Sequence, residues 1–443
     1  MKAQTYLFAL VDGGGTVPPE LGTARRLLER GHRVTVLAED SMESDVLATG
    51  AAFIRWTAAP NRPSRRPEDD PYRDWECSNP LALFARLLDR QLIGPAPGYA
   101  QDMAAAIDTV EPDLAVCSFF AIGAMVAAQA REVPFDVFFP NTYLLPADGM
   151  PPIGLGLKPA HSSLTRMRDR VVRSVTGRQW NKGVPQLNSL RSSYGLPTVR
   201  DLFDQVKLAR KHLVLTSAGF DFPARLPENV RYVGAVLDDP AWSTGTAWTP
   251  PPGDAPLVLV ALSTTFQDQV DCLQRVIDAL AQMRVRGYVT TGPAVDPAEL
   301  DAPDNITVVA AAPHSQVLPH ARAVITHAGH GTVVRALAAG VPILSLPHGR
   351  DQADNAVRIS TRSAGITLSR TATPRKIAAA TQRLLDDPGY GAAAAELGAI
   401  INRDAAAGDL VSELEAIDVV ETNRSGARRD ELKVCPRPLR HRS

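Results

Sequence analysis

The sequence predicts two α/β domains, each a doubly wound parallel sheet covered by helices, from three observations. The chain has 443 residues, which is more than one ordinary domain holds. Hydrophobic residues make up 45% of it and aromatic residues only 6%, as expected of cores built from Ala, Val and Leu. Apolar runs of strand length alternate with segments of helical periodicity in both halves, and this alternation is typical of βαβ units.

The first βαβ unit starts near the N-terminus. Residues 6–11 (YLFALV) form an apolar run of strand length, and three consecutive glycines at 13–15 turn the chain. Pro18 and Pro19 suit the first turn of the helix that follows, and RVTVLAE is then a second strand rich in β-branched residues. We interpret the first run as a buried strand rather than a signal peptide, because a turn and a patterned helix follow it at once.

Composition marks where the two domains meet. Residues 237–256 are rich in Pro, Gly, Ser and Thr, as an interdomain linker is. We therefore expect a first domain over residues 1–236 and a second over residues 237–400. Residues 421–443 are polar and basic with little apolar content, and we expect this tail to be disordered.

Charge and cysteine content argue against several classes of protein. The formal net charge is −1 with mixed signs along the chain, so nothing points to nucleic acid or to a membrane surface as a partner. Cys77, Cys117, Cys272 and Cys435 lie far apart without CxxC spacing, which makes a disulfide framework or zinc site unexpected. No apolar run is long enough to span a bilayer. We expect a cytoplasmic protein.

The most informative segment covers residues 326–359 and reads THAGHGTVVRALAAGVPILSLPHGRDQADNAVRI. A strand ends at His327, and Gly329 and Gly331 allow the backbone to approach a ligand closely. Thr332 opens a helix, and the free N–H groups at a helix N-terminus form an anion site, usually for phosphate. The imidazole of His327 can donate a further hydrogen bond to a phosphate oxygen.

Two polar residues, Asp351 and Gln352, come soon after the next strand, which ends at Pro347. The carboxyl edge of an open α/β sheet is where ligands bind. A carboxylate beside an amide can hold several sugar hydroxyls, so this position fits a sugar subsite. The simpler alternative is a plain βαβ unit with a glycine turn.

The whole segment resembles the donor-binding signature of family 1 glycosyltransferases, the UDP-glycosyltransferase superfamily with the GT-B fold, and above all its bacterial antibiotic-type members. The pattern H-x-G-x-G-T, a helix, G-V-P, a strand and D-Q-x-x-N-A is matched almost completely. The resemblance implies that the donor diphosphate is held by four residues and the sugar by two. The phosphate residues are His327, Gly329, Gly331 and Thr332, and the sugar residues are Asp351 and Gln352.

Weaker similarities to the same family occur in the expected order. RYVGAV resembles the entry into the linker, ALST the loop that touches the phosphates, and AAPHSQVLPHA the loop that holds the base. The matching positions are Ser263 and Thr264 for the phosphates and Ala312, Pro313 and His314 for the base. In the family an aromatic residue that stacks on the base is common just before this loop, where this chain has Ala311.

The resemblance implies an architecture and a reaction. The first domain binds the acceptor, the second binds the donor, and a C-terminal helix over 401–420 packs back on the first domain. A sugar passes from a UDP- or dTDP-sugar to a small, largely apolar acceptor with inversion at the anomeric carbon. The nucleotide-sugar is a co-substrate. No cofactor or metal ion is expected, because main-chain N–H groups can stabilise the leaving diphosphate. A homodimer is possible.

The acceptor half departs from the family at its catalytic dyad. Family members often have a His after the first strand that acts as general base, oriented by an Asp from a later strand. Thr16 occupies the His position here and Ser118 falls near the Asp position. Because a threonine hydroxyl is a poor base at neutral pH, we predict that Thr16 positions the acceptor rather than deprotonating it.

Three weaker candidates lie near the expected cleft. His348 precedes Asp351 by three residues and is a further catalytic candidate. Trp75, in a first-domain insertion, is a candidate for acceptor contact, with a solvated loop as the alternative. A metal site built from the several histidines of the second domain is unexpected, since their spacing matches no usual zinc pattern.

Alternative functions use the same scaffold differently. The glycine turn at 13–15 could belong to a dinucleotide fingerprint with Glu39 or Asp40 on the ribose, but Pro18 stands where the third glycine belongs. A nucleotide-sugar epimerase is a second alternative. A third is a non-catalytic homologue that binds nucleotide and serves as a partner or activator, which the missing dyad favours and the intact donor motif opposes.

Overall fold

A computed structural model describes residues 2–77, 79–244 and 248–417. These residues form two parallel sheets, each covered by helices on both faces. The tail expected at 421–443 and Cys435 lie outside the described residues. No helix of the described part is long and apolar enough to cross a membrane.

The first sheet has seven parallel strands in the order β3-β2-β1-β4-β5-β6-β7. Its strands are β1 (Thr5–Ala9), β2 (Arg33–Ala38), β3 (Ala52–Arg55), β4 (Leu114–Ser118), β5 (Phe135–Phe139), β6 (His212–Val214) and β7 (Val230–Tyr232). The helices are α1 (Val17–Glu29), α2 (Glu43–Ala48), α3 (Pro80–Leu87), α4 (Ala96–Val110), α5 (Ile122–Ala130), α6 (Ser163–Trp180), α7 (Val184–Ser193) and α8 (Asp204–Lys207).

The second sheet has six parallel strands in the order β10-β9-β8-β11-β12-β13. Its strands are β8 (Leu257–Ala261), β9 (Arg286–Thr290), β10 (Ile306–Val309), β11 (Ala321–Thr326), β12 (Ile343–Ser345) and β13 (Gly365–Thr367). The helices are α9 (Ala241–Thr244) in the linker, then α10 (Val270–Ala281), α11 (His314–Val317), α12 (His330–Ala338), α13 (Gln352–Thr361), α14 (Pro374–Asp386), α15 (Pro388–Ala407) and α16 (Asp409–Glu415).

Each sheet is a two-sided core, which confirms the doubly wound prediction. Leu7 of β1 packs into one hydrophobic cluster and its neighbour Phe8 into the cluster on the opposite face. Leu259 and Val260 of β8 are divided between two clusters in the same way. A strand buried on both faces must be apolar throughout, and this is why the parallel strands appear in the sequence as unbroken apolar runs.

The strand order shows where a ligand is expected to bind at the edge of each sheet. In the first sheet the order reverses between β1 and β4, and in the second between β8 and β11. Ligands of doubly wound proteins bind outside the carboxyl ends of the strands at such a switch point. The loops after β1, β8 and β11 therefore lie at these switch points, beside the crevice that the strand order creates.

The C-terminal helices connect the two units. Helix α15 packs on α12 so closely that a Cβ at Gly398 would lie 2.0 Å from the Leu337 carbonyl oxygen. The stretch 401–417 is not one helix, because α15 continues to Ala407 and Gly408 then takes a left-handed conformation at φ 72°. Helix α16 follows, and its Leu410 and Leu414 are buried in a core cluster of the first sheet.

Candidate functional site

A cleft with a cavity volume of about 110 Å³ lies between the carboxyl edges of the two sheets. Its lining includes Gly13, Gly15 and Thr16 from the loop after β1. The opposite wall consists of second-domain loops, and the main contributions follow β8, β11 and β12. The cleft is lined from that side by Ser263, Thr264, Ala312, His314, His327, Gly329, Gly331, Thr332, Asp351 and Gln352, among others.

We call the second-domain side of the cleft the donor wall and the first-domain side the acceptor wall, after the roles that the resemblance implies. The centre of the donor wall is the turn from β11 into α12. Gly329 is the N-cap, and the helix begins at His330, two residues before the position expected from Thr332. The ring of His327 lies beneath this turn, where a Cβ at Gly329 would be only 2.5 Å from its Nε2. Glycine is therefore required at 329 for steric reasons, and the first N–H groups of α12 are left to face the cleft as an anion site.

The imidazole of His327 is held in its neutral form. Burial, with the charges of His348 and Arg350, lowers the pKa of His327 to about 3. The ring also hydrogen-bonds the carbonyl of Ala261 at the end of β8. A neutral imidazole has one N–H and one acceptor nitrogen, and the hydrogen bond to the Ala261 carbonyl uses that N–H. The ring therefore needs a second proton to donate to a phosphate at the same time.

The loop after β8 is fixed by its own side chains. The Ser263 hydroxyl accepts hydrogen bonds from the Thr265 N–H at 3.2 Å and from Gln267 Nε2 at 2.7 Å. Ser263 is 5% exposed and Thr264 also lines the cleft. These hydroxyls and the adjacent main chain lie next to His327 across the switch point between β8 and β11.

One side of the cleft follows strands β9 and β10. His314 Nε2 lies 3.1 Å from Thr290 Oγ1, and burial lowers the pKa of His314 to about 3. Ala312 is 3% exposed and lines the cleft, whereas Pro313 is the N-cap of α11 and does not line it. Trp242, from the linker helix α9, completes this side.

The other side of the cleft follows β12. The carboxylate of Asp351 accepts a hydrogen bond from Asn355 Nδ2 at 2.6 Å and another from Asn141 of the first domain. Burial raises the pKa of Asp351 above its usual range. The amide of Gln352 is used within the protein, because its Oε1 accepts from the His348 N–H and its Nε2 donates to Gln267.

An ion pair closes this side of the cleft between the two domains. Arg350 donates from Nε to Asp74 Oδ2 at 2.7 Å and from its NH2 nitrogen to Asp74 Oδ1 at 3.0 Å, and a third nitrogen reaches Thr265. Next to this pair, Trp75 packs edge to face on Phe266 with ring centroids 5.1 Å apart. Trp75 therefore contacts the second domain in this structure and is not among the residues that line the cleft.

The glycine turn of the acceptor wall is supported by a buried ionic network. Burial favours the neutral acid of Asp12, but Arg65 and Arg62 outweigh burial and lower its pKa to about 2. The Asp12 carboxylate accepts from the Gly14 N–H at 2.8 Å. Glu39 accepts from the Asp12 N–H and from Arg62 Nε, so the carboxylate proposed for a dinucleotide ribose already has its partners.

The two dyad positions are arranged in a way that the sequence did not predict. Thr16 lines the cleft as the N-cap of α1. Ser118 is 3% exposed and donates to Glu20 Oε1 at 2.5 Å, one helical turn beyond Thr16. Glu20 Oε2 is buried with no hydrogen-bond partner in the structure, and burial raises the pKa of Glu20 to about 8. The carboxyl group of Glu20 on α1 thus bonds Ser118, the residue at the position that the resemblance assigns to the Asp of the dyad. With a pKa of about 8, this carboxyl group is mostly protonated at pH 7.

The remaining histidine candidates do not form a site together. His348 has Nδ1 2.8 Å from the Leu346 carbonyl oxygen, and it is not among the cleft-lining residues. His330 Nε2 lies 2.8 Å from Thr216 Oγ1 of the first domain. Among the described residues, no group of three or more His, Cys, Asp or Glu side chains could hold a metal ion.

Several cleft residues were missed by the sequence interpretation. Asn141 follows β5 at the carboxyl edge, and Arg350 directly precedes Asp351, so both positions carried a signal. Arg335 lines the cleft from the second turn of α12, and its Nε donates to the Gly331 carbonyl. Trp242 had no signal beyond being an aromatic residue in a Pro-rich linker.

Two facing doubly wound domains with an anion-binding turn in their cleft define the GT-B fold of nucleotide-sugar-dependent glycosyltransferases. Residues 274–417 match the family model described as erythromycin biosynthesis protein CIII-like, C-terminal domain. The chain is 28% identical to 4'-demethylrebeccamycin synthase of Lentzea aerocolonigenes, over 94% of this chain and 98% of the relative. It is 23% identical to the demethyllactenocin mycarosyltransferase of Streptomyces fradiae, over 86% of this chain and 79% of the relative.

Solved structures agree with the fold. The calicheamicin glycosyltransferase CalG4 superposes with a TM-score of 0.71 at 24% identity, over 94% of this chain and 98% of CalG4. These matches and the donor motif confirm the resemblance to family 1 glycosyltransferases of the antibiotic type. They favour neither the epimerase nor the non-catalytic alternative.

Proposed function

We propose that the protein transfers a sugar from a UDP- or dTDP-sugar to a small, largely apolar acceptor, with inversion at the anomeric carbon. The observation that carries the proposal is the cleft itself. Residues of the donor motif line one wall, and the glycine turn of the other domain lines the wall opposite. A fold neighbour at a TM-score of 0.63 and 17% identity is the spinosyn rhamnosyltransferase SpnG complexed with thymidine diphosphate.

The donor orientation follows from the order of the strands. The anion site lies between β8 and β11, so the diphosphate belongs at the centre of the sheet. Asp351 lies on the β12 side, where its buried carboxylate is held by Asn355 and Asn141 and can accept from sugar hydroxyls. The nucleoside then extends toward β9 and β10. Gln352 supports the sugar loop from within rather than reaching the sugar, because its amide is already bonded.

The leaving diphosphate is stabilised by groups that the fold already holds in place. The N–H groups at the start of α12 and the hydroxyls after β8 face the position where negative charge develops. Such preorganised donors can supply the stabilisation that a metal ion gives elsewhere, so the proposed reaction uses no metal ion. The acceptor would enter from the side of Thr16, where its nucleophilic atom can approach the sugar opposite to the diphosphate.

Ligand-dependent stability tests the proposal. UDP or dTDP should raise the melting temperature of the full chain and NAD should not, because a ligand that binds only the native state stabilises it. Purified protein supplied with UDP- and dTDP-sugars and a panel of small phenolic and heteroaromatic acceptors should release nucleoside diphosphate. A shift with NAD alone, or nucleotide binding without any transfer or donor hydrolysis, would contradict the proposed function.

A further inference from the structure

The described lining of the cleft contains one large aromatic side chain that can stack on a flat ring. Among the described residues that line it, Trp242 is the only Phe, Tyr or Trp. It belongs to the short linker helix α9 rather than to either sheet. The π-face of a nucleobase binds best against an aromatic side chain, and alanine substitution of such a partner typically weakens binding markedly.

The position of Trp242 matches the side of the cleft that the nucleoside must use. With the diphosphate at β8 and β11 and the sugar near β12, the base extends over the ends of β9 and β10. Trp242 lines the cleft together with His314 and Ala312, which come from the loop after β10. The loop itself offers no Phe, Tyr or Trp side chain, since Ala311 precedes Ala312, and the His314 ring is already bonded to Thr290.

The linker is fixed next to that loop by specific contacts. Asp239 accepts hydrogen bonds from the Ser315 N–H at 3.2 and 3.3 Å, and Arg335 on α12 lies 3.5 Å from the same carboxylate. Ser243 is 1% exposed and its hydroxyl donates to the Pro240 carbonyl. Residues on both sides of Trp242 are therefore held, while Trp242 itself is partly exposed and lines the cleft.

We infer that the Trp242 indole is the stacking platform for the pyrimidine base of the donor, so that the interdomain linker forms part of the donor site. The inference rests on the proposed function. It implies that base recognition and the connection between the two domains are coupled, because the residue that contacts the base lies in the segment that joins them.

Calorimetry on the full chain with UDP, dTDP and inorganic pyrophosphate tests the inference. Trp242→Ala should weaken UDP and dTDP roughly five- to hundredfold, the usual range for a base-stacking side chain. Trp242→Phe should retain most of the affinity, and pyrophosphate, which has no base, should bind both variants as it binds the unsubstituted protein. Trp248→Ala is the matched control, since Trp248 lies in the same linker but packs on Tyr288 and His320 outside the cleft.

The possible outcomes separate the two proposals. Unchanged UDP and dTDP affinity in Trp242→Ala would overturn the inference and leave the proposed function standing. Parallel losses for pyrophosphate would also overturn it, because they would show a general distortion of the cleft. If the unsubstituted protein bound neither UDP nor dTDP, the proposed function itself would be wrong.

Discussion

The two walls of the cleft use their polar groups in different ways. On the donor wall, hydroxyls, main-chain N–H groups and Asp351 border the cleft. On the acceptor wall, the carboxylates of Asp12 and Glu39 are buried behind the glycine turn and paired with arginines, and Glu20 is buried against Ser118. The donor wall is thus built to bind a charged ligand, and the acceptor wall is built to hold a turn in place with little charge facing the acceptor.

The difference indicates that the donor motif can be present in this chain while the residues at the expected dyad positions differ from those of the family. The donor site is centred on one strand–turn–helix unit, and the loops after β8 and β12 add polar groups to it. The two positions that the resemblance assigns to the dyad lie on separate elements, and both of them, Thr16 and Ser118, are hydroxyl residues. The following experiments test the contrast, first on the donor wall and then on the acceptor wall.

The sharpest expected effect is at His327 on the donor wall. His327→Ala should weaken UDP or dTDP by about 1.5–3 kcal/mol, the value of one hydrogen bond to a charged group. Because the ring is neutral without a phosphate beside it, nucleotide binding near neutral pH should be accompanied by uptake of up to about one proton. Calorimetry in two buffers of different ionisation enthalpy measures both quantities.

Two further variants complete that experiment. Asp351→Ala should impair the sugar donor while leaving free nucleotide nearly unaffected, since its carboxylate is assigned to the sugar. His161→Ala removes an exposed histidine of the first domain and should change neither ligand. Equal losses of both ligands in Asp351→Ala, or proton uptake that persists in His327→Ala, would contradict the assignments.

The second effect is a pH dependence of stability caused by Glu20 on the acceptor wall. Burial raises its pKa in the folded protein to about 8, from 4.5. A raised folded pKa gives stability that is complete below pH 4.5 and is lost as the pH rises to 8, because ionisation is disfavoured in the folded state. We expect a loss of up to about 1.4 kcal/mol per pH unit across this window.

Denaturant unfolding of Glu20→Gln at several pH values between 5 and 8 measures this contribution. The variant should lack the decline, so its stability relative to the unsubstituted protein should improve as the pH rises. Burial lowers the pKa values of His314 and His330 to about 3, which has the opposite effect below pH 6.5, but that effect is common to both proteins. Glu29→Gln, at the exposed end of the same helix, is the control. Parallel curves for Glu20→Gln and the unsubstituted protein would refute the assignment.

The smallest expected effect is at Thr16. If its hydroxyl only positions the acceptor, Thr16→Val should reduce turnover roughly two- to tenfold, the value of one neutral hydrogen bond. General base catalysis contributes about 10²–10⁴-fold, so the two roles are separable. Turnover of Thr16→Val and Thr16→Ala across pH, with nucleotide affinity as a check, makes the measurement. A loss of three orders of magnitude with normal donor binding would show that Thr16 has a catalytic role, and Ser118 would be the first relay partner to test.

Local patterns predicted the fold wherever an element has a distinct hydrophobic period. The β1 and β8 strands are fully buried and appear as unbroken apolar runs. The strand β13 was not predicted because its three residues, Gly365–Thr367, are only partly buried and form no apolar run. Helix α6 was not predicted for another reason. Its apolar residues, such as Leu164 and Val171, are more than half exposed and do not mark a side that faces the core.

The donor motif was predictable for a similar reason, since all its parts lie within 34 consecutive residues of the chain. The contact of Arg350 with Asp74 was not, because the two residues are 276 positions apart and meet only when both sheets are in place. Asn141 reaches Asp351 in the same manner. Glu20 was visible as a residue, but its burial and its bond to Ser118 depend on how α1 lies against β4.

The ion pair between Arg350 and Asp74 has a consequence for the timing of a catalytic cycle. It is one of several contacts between the two domains, which also include the buried pair of Arg358 with Asp221 and the contact of Ser217 with Asp404 of α15. If the domains separate to release the nucleoside diphosphate product, the partly buried pair of Arg350 and Asp74 must break and both charges must become hydrated. We therefore expect the loop that carries Asp74, far along the chain from every residue of the donor motif, to contribute to the waiting time between turnovers.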